Sequence, residues 1–192
     1  MTVQQQWEEF LSPEVLKDKI LSASMMLIIY ELLKDSIIGR IKDFYSTGFN
    51  VSGPIVDDSY QEQVLGLNKN ILYASLEWLK SREAINNEDL LMFEQVKKAR
   101  NCLAHELSLL ITKALDIDVV NSFQNTFYLL NKIEIWWVVN LELATNSDYS
   151  DIEVDEDRIV PGPILSIQMM LEVLSGNSKL LEKYREVSKN KN

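Results

Sequence analysis

Residues that turn or break a chain are scarce in this sequence. Six glycines and four prolines serve 192 positions, and most gather at Gly48, Gly53 and Pro54, at Pro161, Gly162 and Pro163, and at Gly176. Sandwiches and barrels need a turn signal every 8–12 residues, so long stretches without one leave helices as the economical way to satisfy the backbone. Apolar residues at 46% and charged residues at 25% supply a core and a solvated surface in ordinary globular proportion. The expectation is all-α: a helical bundle of four longer helices plus a short C-terminal helical pair, in one domain spanning 1–192.

The helix boundaries follow from local chemistry. Ser12, Pro13 and Glu14 combine a capping side chain, a ring suited to the first helical position and an acid at the positive end. Leu16, Ile20, Leu27, Ile28, Leu32 and Ile38 carry this first helix to about Phe44, and a loop follows over Thr47 to Asp58. A second helix is expected from Ser59 to Lys80 on Val64, Leu67, Ile71, Ala74 and Trp78. Asn87, with Glu88 and Asp89 behind it, starts a third that continues to about Leu115. Asp118 caps a fourth carrying Leu129, Ile133, Trp136, Trp137, Val139 and Leu143. An acidic loop at about 145–163 leads to a fifth helix ending at Leu174 before Gly176. A short last helix starts at Lys179, and a Lys- and Asn-rich tail at about 188–192 is expected to fray.

Charge and rare residues narrow the chemistry. One cysteine, Cys102, rules out an intramolecular disulfide, and one histidine, His105, rules out a multi-histidine metal site. A net charge of −10 repels nucleic acid and anionic lipid on average, so a nucleic-acid role needs a local basic patch. Met1 to Phe10 holds two acids and no base, unlike a secretory leader. The apolar run from Met25 to Leu33 contains Glu31 and is shorter than the ~20 residues a membrane span requires. A soluble, cytoplasmic protein without a membrane partner is expected.

The third helix contains Val96-Lys97-Lys98-Ala99-Arg100-Asn101-Cys102-Leu103-Ala104-His105. Arg100 is followed at once by polar Asn101, four residues separate it from His105, and Lys97 and Lys98 precede it in the densest basic cluster of an acidic chain. This pattern resembles the signature of the HEPN superfamily, an Arg followed by a polar residue with four to six spacers to a His, on a long helix of an α-helical bundle. The resemblance implies a HEPN-like fold and a metal-independent ribonuclease acting as a toxin or antiphage effector, with a site built where two protomers meet. It implies Arg100, Asn101 and His105 as catalytic residues. It implies a homodimer, RNA as substrate with tRNA the family's suggestion, a neutralising antitoxin protein as a further partner, and neither metal nor cofactor.

The residue types suit that chemistry. Imidazole titrates near neutrality, so His105 can take a proton from a ribose 2′-hydroxyl or give one to the leaving 5′-oxygen. The Arg100 guanidinium offers forked donors to phosphate oxygens. Asn101, four residues before His105, can orient the imidazole or bind phosphate, and Lys97 and Lys98 supply an RNA-binding flank. Five residues at 3.6 per turn set Arg100 and His105 about 140° apart, however. His105 falls on a polar stripe with Glu94, Lys98, Asn101, Ser108 and Thr112, and Arg100 falls beside the apolar stripe of Val96, Leu103, Leu107 and Leu110. A curled Arg, an irregular helix or a second protomer would reconcile the two.

Other readings stand beside this one. Arg100 can be a half-buried residue paired with an acid of a neighbouring helix, and His105 a surface residue. A catalytically silent HEPN-like module binding a partner protein or nucleotide is the alternative that the acidic charge favours. Cys102 and His105 form no nucleophilic pair, because mid-helix amides are already bonded and supply no oxyanion hole. Trp136 and Trp137, with Phe123, Phe127 and Tyr128, read as core or dimer contact rather than base-stacking platforms. Asp151, Glu153, Asp155 and Asp157 lack the mid-loop Gly and closing Glu of a calcium loop and read as solvated.

Overall fold

The structure, a computed structural model, describes residues 2–51, 53–105, 118–149 and 154–189. They fall into two compact units, Met1–Trp136 and Trp137–Asn192. Among the described residues the fold is all-α apart from one hairpin.

In the first unit, helix α1 covers Val3–Leu11, a helix absent from the sequence expectation. Thr2 and Gln5 start it reciprocally: the Thr2 hydroxyl accepts from the Gln5 amide at 3.3 Å, and the Gln5 side chain accepts from the Thr2 amide at 2.9 Å. Helix α2 runs from Pro13 to Phe44, as its breakers dictate, with Pro13 in the first turn. Ser12 contributes through its carbonyl, which accepts from Leu16 N at 3.0 Å, while its hydroxyl makes no cap bond.

The face of α2 that is buried differs from the one expected. Met26, Ile29, Leu33, Ile37 and Ile41 are sealed from solvent, at steps of three and four, whereas Ile20 and Ile28 are exposed. Between Met25 and Leu33 the helix is apolar nearly all round, so spacing alone cannot choose the inward face; packing against α4 and α5 does.

After α2 the expected loop is a hairpin, β1 (Ser46–Asn50) paired antiparallel with β2 (Gly53–Val56). Its glycines and Pro54 hid the period-two signal, and Gly53 holds the positive φ of 119° that its turn needs. The expected second helix is broken. A short turn α3 (Asp58–Tyr60) runs into a π-helical turn at Gln61–Leu65, and only Ile71–Ser81 continues as α4. Asn70 restarts the chain by accepting from Leu72 N at 3.0 Å and Tyr73 N at 3.4 Å, a cap stronger than the apolar spacing that suggested continuity.

Helix α5 spans Asn87–His105, and its expected extension to Leu115 lies outside the described residues. It starts at Asn87 as expected and is capped by Asn86: Asn86 Oδ1 accepts from Glu88 N and Asp89 N, and Asp89 Oδ2 accepts from Asn86 N at 2.8 Å. Phe93, Val96, Ala99 and Leu103 form its buried stripe. Helix α6 (Val119–Trp137) starts where Asp118 accepts from Asn121 N at 2.9 Å, as expected. Leu129, Ile133 and Trp137 on it are buried, and Trp136 packs edge-on against Trp78 at 6.1 Å. Trp137 bears out the core reading and is withdrawn as a surface for pairing two copies, whereas Phe123, Phe127 and Trp136 are half-buried and Tyr128 is exposed.

Two buried acids tie α6 into the first unit. Asp89 receives Lys132 Nζ at 2.6 Å, and Glu134, 1% exposed, receives Arg40 Nη2 at 2.5 Å. Burial alone would lower the Lys132 ammonium, but the bond and charge of Asp89 outweigh it and hold its pKa above 10.5. A raised cation stabilises fully below its unfolded value, so this pair weakens only in strong alkali, as pH climbs through the raised folded value.

In the second unit, after a π-helical turn at Val138–Leu143, the chain makes single turns at Ser147–Tyr149 and Glu156–Arg158. Of the four alternating acids, Asp155 and Asp157 are exposed, with Asp155 accepting from Asp157 N at 3.2 Å; Asp151 and Glu153 lie outside the described residues. Helices α7 (Gly162–Leu174) and α8 (Lys179–Lys189) follow, separated at Gly176, whose φ of 84° ends α7 as expected. The tail beyond Lys189 lies outside the described residues. No described helix is long and apolar enough to cross a membrane.

Arg40→Ala should leave the Glu134 carboxylate buried without its guanidinium and destabilise the first unit by about 3 kcal/mol in urea titration. A loss below about 1 kcal/mol would show that the pair does not anchor α6.

Candidate functional site

The motif helix α5 lies against α2, and Arg100 is among the residues that span them. Its Nη2 donates to Glu31 Oε1 at 2.8 Å, and its Nη1 lies 3.4 Å from Asn101 Oδ1. Its guanidinium carbon sits 5.4 Å from the centre of the Tyr30 ring, which also stacks on Phe93 at 6.3 Å. Phe93 and Arg100, seven residues apart on α5, therefore meet one ring of α2. Arg100 Nε is buried and has no hydrogen-bond partner among the described residues.

This is the half-buried arginine paired with a neighbouring acid that the sequence allowed. The pair is open to water, with side chains 31% exposed for Arg100 and 50% for Glu31. An ion pair so placed contributes on the order of 0–1 kcal/mol and can be exchanged. Glu31 Oε2 also lies 3.5 Å from Lys34 Nζ. Burial pushes the Glu31 carboxyl up, but its hydrogen bond to Arg100 and the charge of Lys34 prevail and hold it below 4.5. Burial likewise raises the Tyr30 phenol, against the pull of Arg100 and Lys97.

The basic flank is divided. Lys97 donates to the Tyr73 hydroxyl at 2.6 Å and lies 4.5 Å from that ring's centre, and the hydroxyl bond holds its ammonium above the usual lysine value. Lys98 is exposed, as are Glu94 and Asn101, so the polar stripe faces solvent as far as it is described. Cys102 is half-buried. His105 is the last residue of α5; its side chain, with Leu107, Ser108, Leu110 and Thr112, lies outside the described residues. The helix is regular from Asn87 to His105, which removes an irregular backbone as the way to bring Arg100 and His105 together. Arg100 instead reaches sideways to α2.

Tyr30, Glu31 and Tyr73 are the site residues that sequence reasoning missed. Glu31 had a signal, as the only charge in the apolar run from Met25 to Leu33. The tyrosines had none, since a tyrosine on an apolar helix reads as core. Among the described residues no three His, Cys, Asp or Glu side chains gather to hold a metal ion.

Because the depressed Glu31 carboxyl owes its low value to Arg100, Arg100→Gln should raise it, and carboxyl chemical shifts followed through an acid titration will measure this. In the wild type the pair should persist above about pH 4.5 and dissolve as pH falls through the lowered folded value. An unchanged titration in the variant would mean that the two side chains do not pair in solution.

Compared with family models, curated proteins and solved structures, the chain matches none.

Proposed function

We propose that this chain is a metal-independent RNA endonuclease of HEPN type, a cytoplasmic toxin or antiphage effector that works as a homodimer. The observation that carries the reading is the position of Arg100: an exchangeable guanidinium on the motif helix, one residue from a solvent-facing polar stripe that leads to His105. In this reading Arg100 holds the scissile phosphate, Asn101 binds a phosphate oxygen or orients the imidazole, and Lys98 draws the backbone in. His105 removes the proton from the 2′-hydroxyl as that oxygen bonds to phosphorus. The bond from phosphorus to the 5′-oxygen breaks, and that oxygen takes up a proton. A second protomer supplies the partner for the 140° separation, and two copies double a basic cluster that is weak in one acidic chain. The RNA is tRNA by resemblance, and a neutralising protein is the expected companion of such a toxin.

A catalytically silent HEPN-like module that binds a protein or nucleotide is the second reading. The Glu31 pairing favours it, because the guanidinium already holds an anion.

Purified protein should cut RNA in excess chelator and leave 2′,3′-cyclic phosphate and 5′-hydroxyl ends. A 2′-deoxy substitution at the cut should block the reaction. His105→Ala should lower the rate at least about 100-fold with helicity retained. Intact RNA in the presence of a folded wild-type dimer would overturn the nuclease reading in favour of the silent module.

A further inference from the structure

We infer that Glu31 is an internal stand-in for the substrate phosphate: its carboxylate occupies the Arg100 position that a phosphodiester must take, and binding proceeds by exchange of one anion for the other. The inference rests on the reading of Arg100 as a phosphate ligand and adds to it a residue, on a different helix, that sets the threshold for binding.

The geometry of the guanidinium carries the argument. Nε and Nη2 form one edge of an arginine, the edge whose two parallel N–H groups fit two oxygens of a single anion. Glu31 uses that edge incompletely. Its Oε1 takes Nη2 at 2.8 Å, whereas Nε is left buried and without a partner among the described residues. A buried donor left unmet is unfavourable, and a ligand presenting two oxygens would satisfy both groups at once. The contact on the other side, Nη1 with Asn101 Oδ1, is long at 3.4 Å and holds the fork only loosely. The Tyr30 ring holds the guanidinium carbon 5.4 Å from its centre, and Glu31 is the one acid on the Nε–Nη2 edge among the described residues, so exchange at that edge means displacing Glu31.

Glu31 is also placed to leave. Half of its side chain is in water, and its second oxygen already lies 3.5 Å from Lys34 Nζ one turn along α2. On displacement from Arg100 the carboxylate retains a cation, so exchange does not strand a charge. In an acidic chain this arrangement turns away weak, singly contacting anions and admits those that offer paired oxygens, which is the character of a phosphodiester.

The test uses a short mixed-sequence oligoribonucleotide carrying 2′-O-methyl groups throughout, which binds but cannot be cut, and reads its affinity by fluorescence anisotropy. Glu31→Gln should bind about two- to fivefold tighter than wild type, matching the worth of a half-exposed ion pair. Glu31→Ala should do the same, and melting curves confirm that both are folded. The gain should vanish when Arg100→Gln is added. Asp35→Asn, which removes one negative charge a turn away on the same helix, should give no comparable gain. Equal gain from Asp35→Asn, gain that survives loss of Arg100, unchanged or weaker binding by both Glu31 variants, or no binding by any protein would each overturn the exchange. Cleavage of unmodified RNA is scored separately. An Arg100-dependent gain without cleavage sinks the nuclease reading and keeps the exchange, and cleavage without the gain does the reverse.

Discussion

The dry stripe of α2 is the constraint on which the first unit depends. Met26, Ile29, Leu33, Ile37 and Ile41 lose essentially all contact with water, and each such burial is worth roughly 1.5–3 kcal/mol relative to exposure. No other described helix of that unit is as long, and α4 and α5 both pack on it. Once that face is committed inward, the rest of α2 has no freedom left. Tyr30, next to Ile29, must lie at the margin of the core, and Glu31, one step further round, must emerge at the rim beside α5. The site is a by-product of the packing: the helix that builds the core also delivers an aromatic ring and a carboxylate to Arg100.

What could be read from the sequence follows how local its cause is. The limits of α2, the Asp118 cap and the end of α7 at Gly176 depend on residues within one turn, and the structure places them as the sequence implies. The inward face of α2 depends on partners far along the chain, and an apolar belt that encircles the helix carries no signal for it. The π-helical turn and the Asn70 cap beat a plausible apolar spacing because a satisfied backbone amide outweighs a pattern. At the site, the position of Arg100 beside the apolar stripe and the exposure of Asn101 and Lys98 were legible from helical geometry alone. The identity of the acid that meets Arg100 was not, since 69 residues separate them and only the fold brings them together.

Lys97 and Arg100 illustrate how two neighbouring cations on one helix acquire different chemistry. Lys97 is engaged at its tip by both the hydroxyl and the ring of Tyr73, so its charge is held in place. Arg100 lies over the Tyr30 ring and is held by a half-exposed carboxylate, so its bond to Glu31 is the one open to exchange. A cluster of basic residues is therefore not one uniform patch. Its members divide into a fixed positive charge that shapes the field and an exchangeable one that can recognise a ligand.

The double duty of Asp89 reaches beyond the pairwise bond. Its carboxylate closes the first turn of α5 through Asn86 and at the same time receives Lys132 from α6. A helix end normally frays on its own, because opening one turn disturbs nothing else. Here unwinding the start of α5 would pull the buried Asp89 carboxylate away from Lys132 on another helix, so opening the turn also breaks a tie to α6. The N-terminal amides of α5 thus belong to the slow-exchanging, cooperative part of the molecule, and the motif helix is clamped at the end remote from Arg100.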